Sequence, residues 1–386
     1  MIRNHVEQKK LNSSHATFAL VKSMVGGGVV FIPHIISQTG IIQGFFLITF
    51  IGICSSFSLF FISKSAKRTE SKNISDLANR VGGKFCVRLL NLCIFMTVFI
   101  TLVMSLQMTS FNLYSVLQDI NMEIPVEILI ISCAIINGLM CVIFRSVIKL
   151  KIVNLIGLSS ITILFFYIIF LFIKNIPSIS FNSISLFNFR LTTLNEIFLI
   201  CFAFYSQYSF TEISNSMKNY EDIPKVIVCS NLIAGIIYYF IGLMGYCLFP
   251  STSNNFLLNT FESPKIAIAF KAVIAIVNIL GYPLFMIPAR NSFLCLIDKE
   301  SLSFAGNSLC SLSVALGCCL VTLFLENEME LLKILFFFFA SAVMFILPAY
   351  FFKKLYGIKG IAGIFIICNM IFGIGGILMG CVNLVS

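Results

Sequence analysis

The sequence predicts an all-α, polytopic membrane protein with about eleven transmembrane helices, from its composition and the spacing of its apolar runs. Of the 386 residues, 59% are hydrophobic and only 11% are charged, and the mean hydropathy is +1.00. Soluble domains are about 45–50% apolar and about 25% charged, so one soluble core cannot enclose this much apolar side chain. The excess must face lipid, which excludes a soluble enzyme.

Apolar runs long enough to cross a bilayer recur along the whole chain. A spanning helix needs about 20 apolar residues. The runs are numbered here in chain order as spans 1 to 11. They lie near residues 16–38, 41–62, 89–117, 126–144, 152–173, 194–217, 226–249, 266–288, 305–325, 331–352 and 360–384. No remaining stretch is long enough for a soluble domain, so residues 1–386 are predicted to form a single transmembrane domain.

The distribution of the 26 Lys and Arg residues orients the spans. Most of them fall in the N-terminal tail and in the loops after even-numbered spans, which the positive-inside rule places in the cytoplasm. The N-terminus of this multi-pass protein is therefore predicted to be cytoplasmic, in either the plasma membrane or an organelle membrane. No basic patch interleaved with aromatic residues lies on a soluble face, so no nucleic acid partner is predicted. Three His residues and no C-x-x-C pair predict neither a metal site nor a cofactor.

Spans 1 and 6 are predicted to be interrupted. Span 1 contains Gly26, Gly27 and Gly28 followed by Pro33, and each glycine costs a helix about 1 kcal/mol relative to alanine. Span 6 is polar at its centre, over residues 205–209. Unwound backbone at membrane depth is tolerated only where it is buried in protein or lines a polar cavity, which favours a binding site. The alternative interpretation is close helix packing through small residues.

Glu212 is an acid inside span 6. A charge inside a span costs ~2.5–3.5 kcal/mol to insert, so such a residue is a functional hypothesis by default. Alternatively, Glu212 lies close enough to the end of the span to meet Lys218 or water.

Spans 1 and 6 each begin a set of five spans. Because five is odd, the two sets enter the membrane from opposite sides and are predicted to be related as a 5+5 inverted repeat, followed by one further helix. Inverted repeats with broken helices are typical of secondary transporters.

At these positions the chain resembles the amino acid/auxin permease family, within the amino acid, polyamine and organocation transporter superfamily. The resemblance is carried by residues 18–33 and 38–40 of span 1, 202–219 of span 6, 287–290 of span 8 and 345–348 of span 10. It implies one transmembrane transporter domain, with the inverted-repeat fold of the bacterial leucine transporter and alternating access around spans 1 and 6. The implied substrate is an amino acid.

The resemblance also implies the substrate site. The substrate carboxylate would meet free amides of the span 1 break, its ammonium would meet carbonyls and hydroxyls of the span 6 break, and nearby aromatic rings would shape the pocket. The implied residues are Val25, Gly26, Gly27, Gly28, Phe204, Tyr205, Ser206, Gln207, Tyr208 and Ser209. On the facing span 3, Gln107, Ser110 and Asn112 are further candidates.

The ion coupled to transport is inferred from the composition of span 8. In the implied fold a sodium site uses carbonyls of span 1 and hydroxyls from the middle of span 8, but residues 264–290 contain neither Ser nor Thr, and Asn278 is the only small polar oxygen ligand. Proton coupling through Glu212, or exchange without an ion, is therefore favoured. Sodium coupling and a non-transporting membrane receptor are the alternatives. Lys22 and Lys271, both inside spans, are interpreted as lysines that extend to the membrane surface.

Overall fold

The computed structural model describes residues 11–25, 29, 31–143, 151–179, 184–188, 193–248, 264–299, 303–325, 329–358 and 360–385. Within these ranges the regular structure is helical, and the β pairing consists of one isolated bridge, between Leu11 and Met217. The α-helices are α1 (Ser13–Met24), α2 (Ile32–Thr39), α3 (Ile41–Thr69), α4 (Ile74–Asp119), α5 (Val126–Ile143), α6 (Lys151–Asn175), α7 (Thr193–Phe204), α8 (Gln207–Asn215), α9 (Ile223–Leu248), α10 (Pro264–Leu296), α11 (Phe304–Phe324), α12 (Met329–Ser341), α13 (Leu347–Tyr356) and α14 (Gly360–Val385).

The all-α, multi-pass prediction is confirmed, and every predicted span contains a helix. In the described part of the chain, eight helical segments are long and apolar enough to cross a membrane by length and composition. That criterion does not establish the predicted count of eleven. Spans 1 and 6 are each divided into two short helices, and within α6 only the shorter apolar stretch Ser159–Asn175 meets the composition criterion.

Both predicted helix breaks are confirmed. In span 1, α1 ends at Met24, Val25 has extended backbone, and α2 begins at Ile32 with a proline in its first turn. In span 6, α7 ends at Phe204 and α8 begins at Gln207.

Two further irregularities shape the bundle. Gly83 adopts φ 72°, which only glycine tolerates readily, and separates a short surface segment from the long membrane part of α4. In span 10, the residues Ala342–Ile346 form one π-helical turn between α12 and α13. Pro348, in the first turn of α13, has no N–H to donate, and a π-turn accommodates such a defect.

The N-terminal end of span 1 and the C-terminal end of span 6 are joined at one end of the bundle, which we call the N side. The amide of Leu11 donates to the carbonyl of Ser216 at 2.7 Å, and the amide of Lys218 donates to the carbonyl of Leu11 at 3.0 Å. The Ser13 hydroxyl donates to Asp222 Oδ2 at 2.8 Å. The segment before α1 is thus fixed to the segment after α8.

The interpretation that Lys271 extends to the membrane surface is wrong. Lys271 is only 5% exposed. Its ammonium donates to Ser115 Oγ at 2.6 Å and to Asp119 Oδ2 at 3.3 Å. Lys271 lies on α10 and both partners lie on α4, so the interaction fastens these two neighbouring helices near the end opposite the N side. A sequence cannot show that an acid just beyond span 3 faces a lysine of span 8.

Replacing Lys271 by methionine is expected to lower the free energy of unfolding by about 1–3 kcal/mol, less than for a fully buried pair because Asp119 is about one-third exposed. Thermal unfolding of the purified protein in detergent measures the loss. The double variant Lys271→Met with Asp119→Asn is expected to lose less than the two single variants added together. Additive losses would show that the two charges are not coupled.

Candidate functional site

The span 6 break is held open by side chains from its neighbours. The last carbonyls of a helix have no partner within it, and here Tyr238 of α9 donates to the Ala203 carbonyl at 2.8 Å, while Ser55 of α3 donates to the Phe204 carbonyl at 3.4 Å. The Gln207 side chain accepts from the Ser206 amide at 3.0 Å and donates to Ser55 Oγ at 3.3 Å. The break is therefore stabilised by a defined hydrogen-bond network.

A central cavity of about 100 Å³ lies between the two breaks. Helices α1, α4, α7, α9 and α10, the connection between α1 and α2 and the break between α7 and α8 supply its walls. The wall residues are Lys22, Ser23, Met24, Val29, Phe31, Thr101, Met104, Ser105, Met108, Phe202, Ala203, Tyr205, Tyr238, Asn278 and Phe285. Most of the wall is apolar or aromatic, with a few hydroxyls, one amide and one ammonium.

Of the predicted span 1 residues, the structure describes only Val25. Gly26, Gly27 and Gly28 lie outside the described residues. Val25 is buried, its amide donates to the Val21 carbonyl at 2.7 Å, and it is not a wall residue. Met24 before the connection and Phe31 after it are wall residues, so the connection begins and ends at the cavity.

Of the predicted span 6 residues, Tyr208 lines a second space described below, and the other five divide into three groups. Tyr205 is a wall residue of the central cavity. Ser206, Gln207 and Ser209 are engaged at the break, where the Ser209 hydroxyl donates to the Ser206 carbonyl at 3.2 Å. Phe204 points away from the cavity: it is fully buried, its ring meets that of Tyr238 edge-on at 5.3 Å, and it packs near glycines of α3 and α9.

On span 3, the face of the helix that lines the cavity differs from the face that the sequence analysis predicted. Thr101, Met104, Ser105 and Met108 of α4 line the cavity, spaced as one helical face. Gln107, Ser110 and Asn112 do not; Gln107 instead donates to the Leu325 carbonyl at 2.8 Å. The Met and Ser residues of this stripe were the signal that the sequence analysis missed.

Asn278 and Lys22 bring polar groups to the cavity from α10 and α1. The Asn278 Nδ2 is buried with no hydrogen-bond partner in the part of the chain that the structure describes, so a donor is available at the cavity wall. Lys22 lies in the last turn of α1. Its side chain reaches inward to the cavity, so the interpretation that it extends to the membrane surface is wrong.

Comparison with known protein families shows the family to which the chain belongs. The family model described as transmembrane amino acid transporter protein matches residues 9–386. The chain belongs to the transmembrane amino acid transporter family. It is a transporter and not an enzyme, as the sequence predicted.

Two curated relatives carry the provisional name sodium-coupled neutral amino acid transporter 11. The Bos taurus protein is 21% identical over 357 residues, which cover 90% of this transporter and 77% of the relative. The Mus musculus protein is 21% identical over 364 residues, covering 92% and 80% of the two chains.

Solved structures of other transporters share the fold. A histidine-to-alanine mutant of the Eremococcus coleocola manganese transporter superposes with a TM-score of 0.63 at 13% identity, covering 100% of this transporter and 90% of that chain. Mhp1, a nucleobase-cation-symport-1 family transporter in a closed conformation with bromovinylhydantoin bound, gives 0.62 at 11% identity, covering 98% and 94%. These neighbours have the leucine-transporter type of fold, which confirms the predicted fold class.

A second, wider space in this transporter opens on the N side. This N-side vestibule has a volume of about 800 Å³, and its walls combine polar and apolar side chains. It is lined by Asn73, Ile74, Ser75, Asp76, Asn79, Lys84, Val87, Arg88, Asn91, Ile94, Tyr208, Thr211, Pro288, Asn291, Ser292, Leu294, Cys295, Asp298 and Lys299. Charges of both signs line it, and the Arg88 guanidinium pairs with Asp298 at 3.2 Å.

Two tyrosines lie between the two spaces. Tyr205 lines the central cavity and Tyr208 lines the vestibule, and their ring centroids are 5.3 Å apart. Thr211 also lines the vestibule, and its hydroxyl oxygen is buried. Glu212 follows it in α8, but the Glu212 side chain lies outside the described residues.

At the opposite end of the transporter, His34 of α2 approaches Glu196 of α7, with Nε2 3.8 Å from Oε1. This contact joins α2, the second half of span 1, to α7, the first half of span 6. The sequence analysis did not single it out, although a histidine directly after Pro33 and a second acid inside span 6 were visible signals.

Proposed function

We propose that this protein is a secondary active transporter of neutral amino acids that works by alternating access around the breaks in spans 1 and 6. The observation that carries the proposal is the central cavity, which lies where both broken helices meet and is separated from the vestibule by Tyr205 and Tyr208. A bound solute is thus enclosed at the point where two helices can bend.

The cavity wall favours a neutral side chain on the substrate. Met104, Phe202 and Phe285 offer apolar contact, and the wall residues described include no carboxylate that would pair with a cationic side chain. The carboxylate of the amino acid is proposed to bind the amides of Gly26, Gly27 and Gly28, and its ammonium the oxygens of the span 6 break. The names of the two curated relatives also support neutral amino acids.

The proposed orientation places the N side in the cytoplasm, because most Lys and Arg residues lie in the loops on that side. The open vestibule then leads to the cytoplasm, and residues 1–386 act as one transporter domain. In this conformation the Tyr205–Tyr208 pair closes the path from the vestibule to the central cavity.

Two mechanisms are considered for coupling an ion to amino acid transport. Proton coupling through Glu212, or exchange without an ion, agrees with the absence of Ser and Thr from residues 264–290. Sodium coupling is the second candidate, because both curated relatives are named for it, and Asn278 would then be a ligand.

Counterflow in proteoliposomes tests the proposal. Purified protein is reconstituted with an internal unlabelled amino acid, and labelled amino acids are added one at a time, in the presence and absence of sodium and proton gradients. Accumulation of a labelled neutral amino acid in exchange for the internal pool supports transport. No movement of any member of the panel would favour a receptor instead.

Replacing Ser105 by phenylalanine is expected to reduce uptake strongly, because the ring would fill much of a cavity of about 100 Å³. Overpacking costs about 1–3 kcal/mol, which corresponds to about a 5- to 150-fold loss of affinity. Initial uptake rates at several substrate concentrations measure the loss. The matched control is Ser132→Phe, at an exposed position of α5, and it is expected to transport as the parent does. Equal losses in both variants would contradict the assignment of the cavity.

A further inference from the structure

A group of five cations lies on the N side, in the last turns of α3 and α13. The two segments Ile41–Thr69 and Leu331–Tyr356, both long and apolar enough to cross a membrane, end at this group. We call it the basic cluster, and its members are Lys64, Lys67 and Arg68 of α3 and Lys353 and Lys354 of α13.

Two tyrosines fix the cluster in place. The Tyr356 hydroxyl at the end of α13 donates to the Lys64 carbonyl at 3.0 Å, which joins the two helix ends. The Arg68 guanidinium lies 4.7 Å from the centroid of the Tyr356 ring, and the Lys67 ammonium lies 4.2 Å from that of the Tyr220 ring. An aromatic ring attracts a cation but carries no net charge, so these contacts hold the cations without neutralising them.

The cluster keeps most of its positive charge. The ion pairs found among the described residues involve none of its five members. The acid nearest to it in sequence is Glu70, which is exposed at the end of α3. A helix C-terminus carries about half a negative charge, so the two helix ends and Glu70 together offset about two of the five charges. About three positive charges remain.

The surroundings of the cluster place it at the depth of lipid headgroups. Exposed apolar and aromatic side chains adjoin it at Tyr356, Ile358 and Ile361. In a chain that spans the membrane such side chains face the acyl chains, and the cations at the ends of the same spans face the headgroups. A group of about four to eight Lys and Arg residues beside a span attracts anionic lipids, and an Arg can bind two phosphate oxygens at once.

We propose that the basic cluster binds the headgroup of an anionic phospholipid in the N-side leaflet, an inositol that carries phosphate monoesters. Each phosphate monoester has a charge of about −1.5 to −2, so a headgroup with two of them matches about three uncompensated positive charges. None of the cluster residues lines the central cavity or the vestibule, so this site is separate from the substrate path.

Binding can be measured on the full chain in detergent with a short-chain lipid. A ligand that binds only the folded protein raises its melting temperature. Dioctanoyl phosphatidylinositol bisphosphate is expected to give a saturable rise, and dioctanoyl phosphatidylcholine none. The free headgroup, inositol trisphosphate, is expected to require a higher concentration. An equal effect of the free headgroup, or a rise with a polyglutamate peptide and not with the lipid, would overturn the proposal.

Two double variants divide the cluster by helix. They are Lys353→Gln with Lys354→Gln and Lys64→Gln with Arg68→Gln. Each cation lost is expected to weaken binding about fivefold, so each double variant should raise the half-saturating lipid concentration about 25-fold.

The matched control is Lys218→Gln with Lys225→Gln, which removes the same charge from two exposed lysines of the N side outside the cluster. It is expected to bind the lipid as the parent does.

The variant of α13 is the decisive one if the variant of α3 does not fold, because Lys353 and Lys354 are both exposed. A monodisperse elution profile and the parent's melting temperature without lipid identify folded variants. Parental affinity in the variant of α13, or an equal loss in the control, would overturn the proposal. Neither result depends on amino acid transport, which counterflow measures separately.

Discussion

Replacing Gly27 by leucine is expected to abolish amino acid uptake while the protein still folds and inserts into the membrane. The glycine lies in the connection between Met24 and Ile32, both ends of which reach the central cavity. A leucine there favours continuous helix, which withdraws the amides proposed to bind the substrate carboxylate, and its side chain fills the carboxylate position. Hydrogen bonds to a charged group contribute about 1.5–3 kcal/mol each, so losing two lowers affinity by about 100-fold or more.

The measurement is counterflow at substrate concentrations that bracket the parent's KM. The matched control is Gly375→Leu in α14, where a Cβ atom would meet nothing within 4 Å. Membrane fractionation and elution profiles verify that both variants insert and fold. Uptake by Gly27→Leu with the parent's substrate affinity would show that the span 1 break is a packing feature and not a binding site.

Replacing Glu212 by glutamine is expected to eliminate proton-driven accumulation and to preserve exchange of substrate. Glutamine keeps the size and the hydrogen-bonding capacity of the side chain but cannot bind and release a proton. Glu212 follows Thr211, a lining residue of the vestibule, and it lies on α8, the helix that begins directly after the break in span 6. A carboxyl at this place is suited to exchange a proton with one side of the membrane as access alternates.

Uptake driven by an inward proton gradient, measured with and without a protonophore, gives the accumulation ratio. The ratio is expected to fall to that of simple equilibration in Glu212→Gln, while counterflow continues. Glu221→Gln, at an exposed position beyond α8, is the control and should accumulate substrate as the parent does. Parental accumulation by Glu212→Gln would make Glu212 a helix-end acid that serves structure alone.

The two broken spans were predictable because their signals are local. Three consecutive glycines and a run of polar residues at the centre of an apolar span weaken a helix whatever surrounds it. Tyr205 was predictable for the same reason, since it stands at the break itself. The hydrogen bonds from Ser55 and Tyr238 that complete the span 6 break come from distant parts of the chain, and no local pattern indicates them.

The face of span 3 was not predictable because α4 is apolar and buried on most sides in its membrane part. Hydrophobic periodicity identifies the buried face only where another face meets water. The polar residues Gln107 and Ser110 therefore gave no reliable indication of the cavity side, and both bond to backbone carbonyls. Lys271 was misread for a related reason: its partner Asp119 lies 152 positions away in sequence.

The pairing of Leu11 with the end of α8 has a mechanical consequence. Because the backbone hydrogen bonds on both sides of Leu11 join the start of α1 to residues 216–218, we expect α1 and α8 to move together against α4 and α10 in the proposed transport cycle. Spin labels at Ser14 and Asn215 should therefore keep a constant separation when substrate is added, whereas the distance from either label to Lys299 should change. The N-terminal segment thus links α1 to α8, and cleavage of this segment is expected to let α1 move without α8.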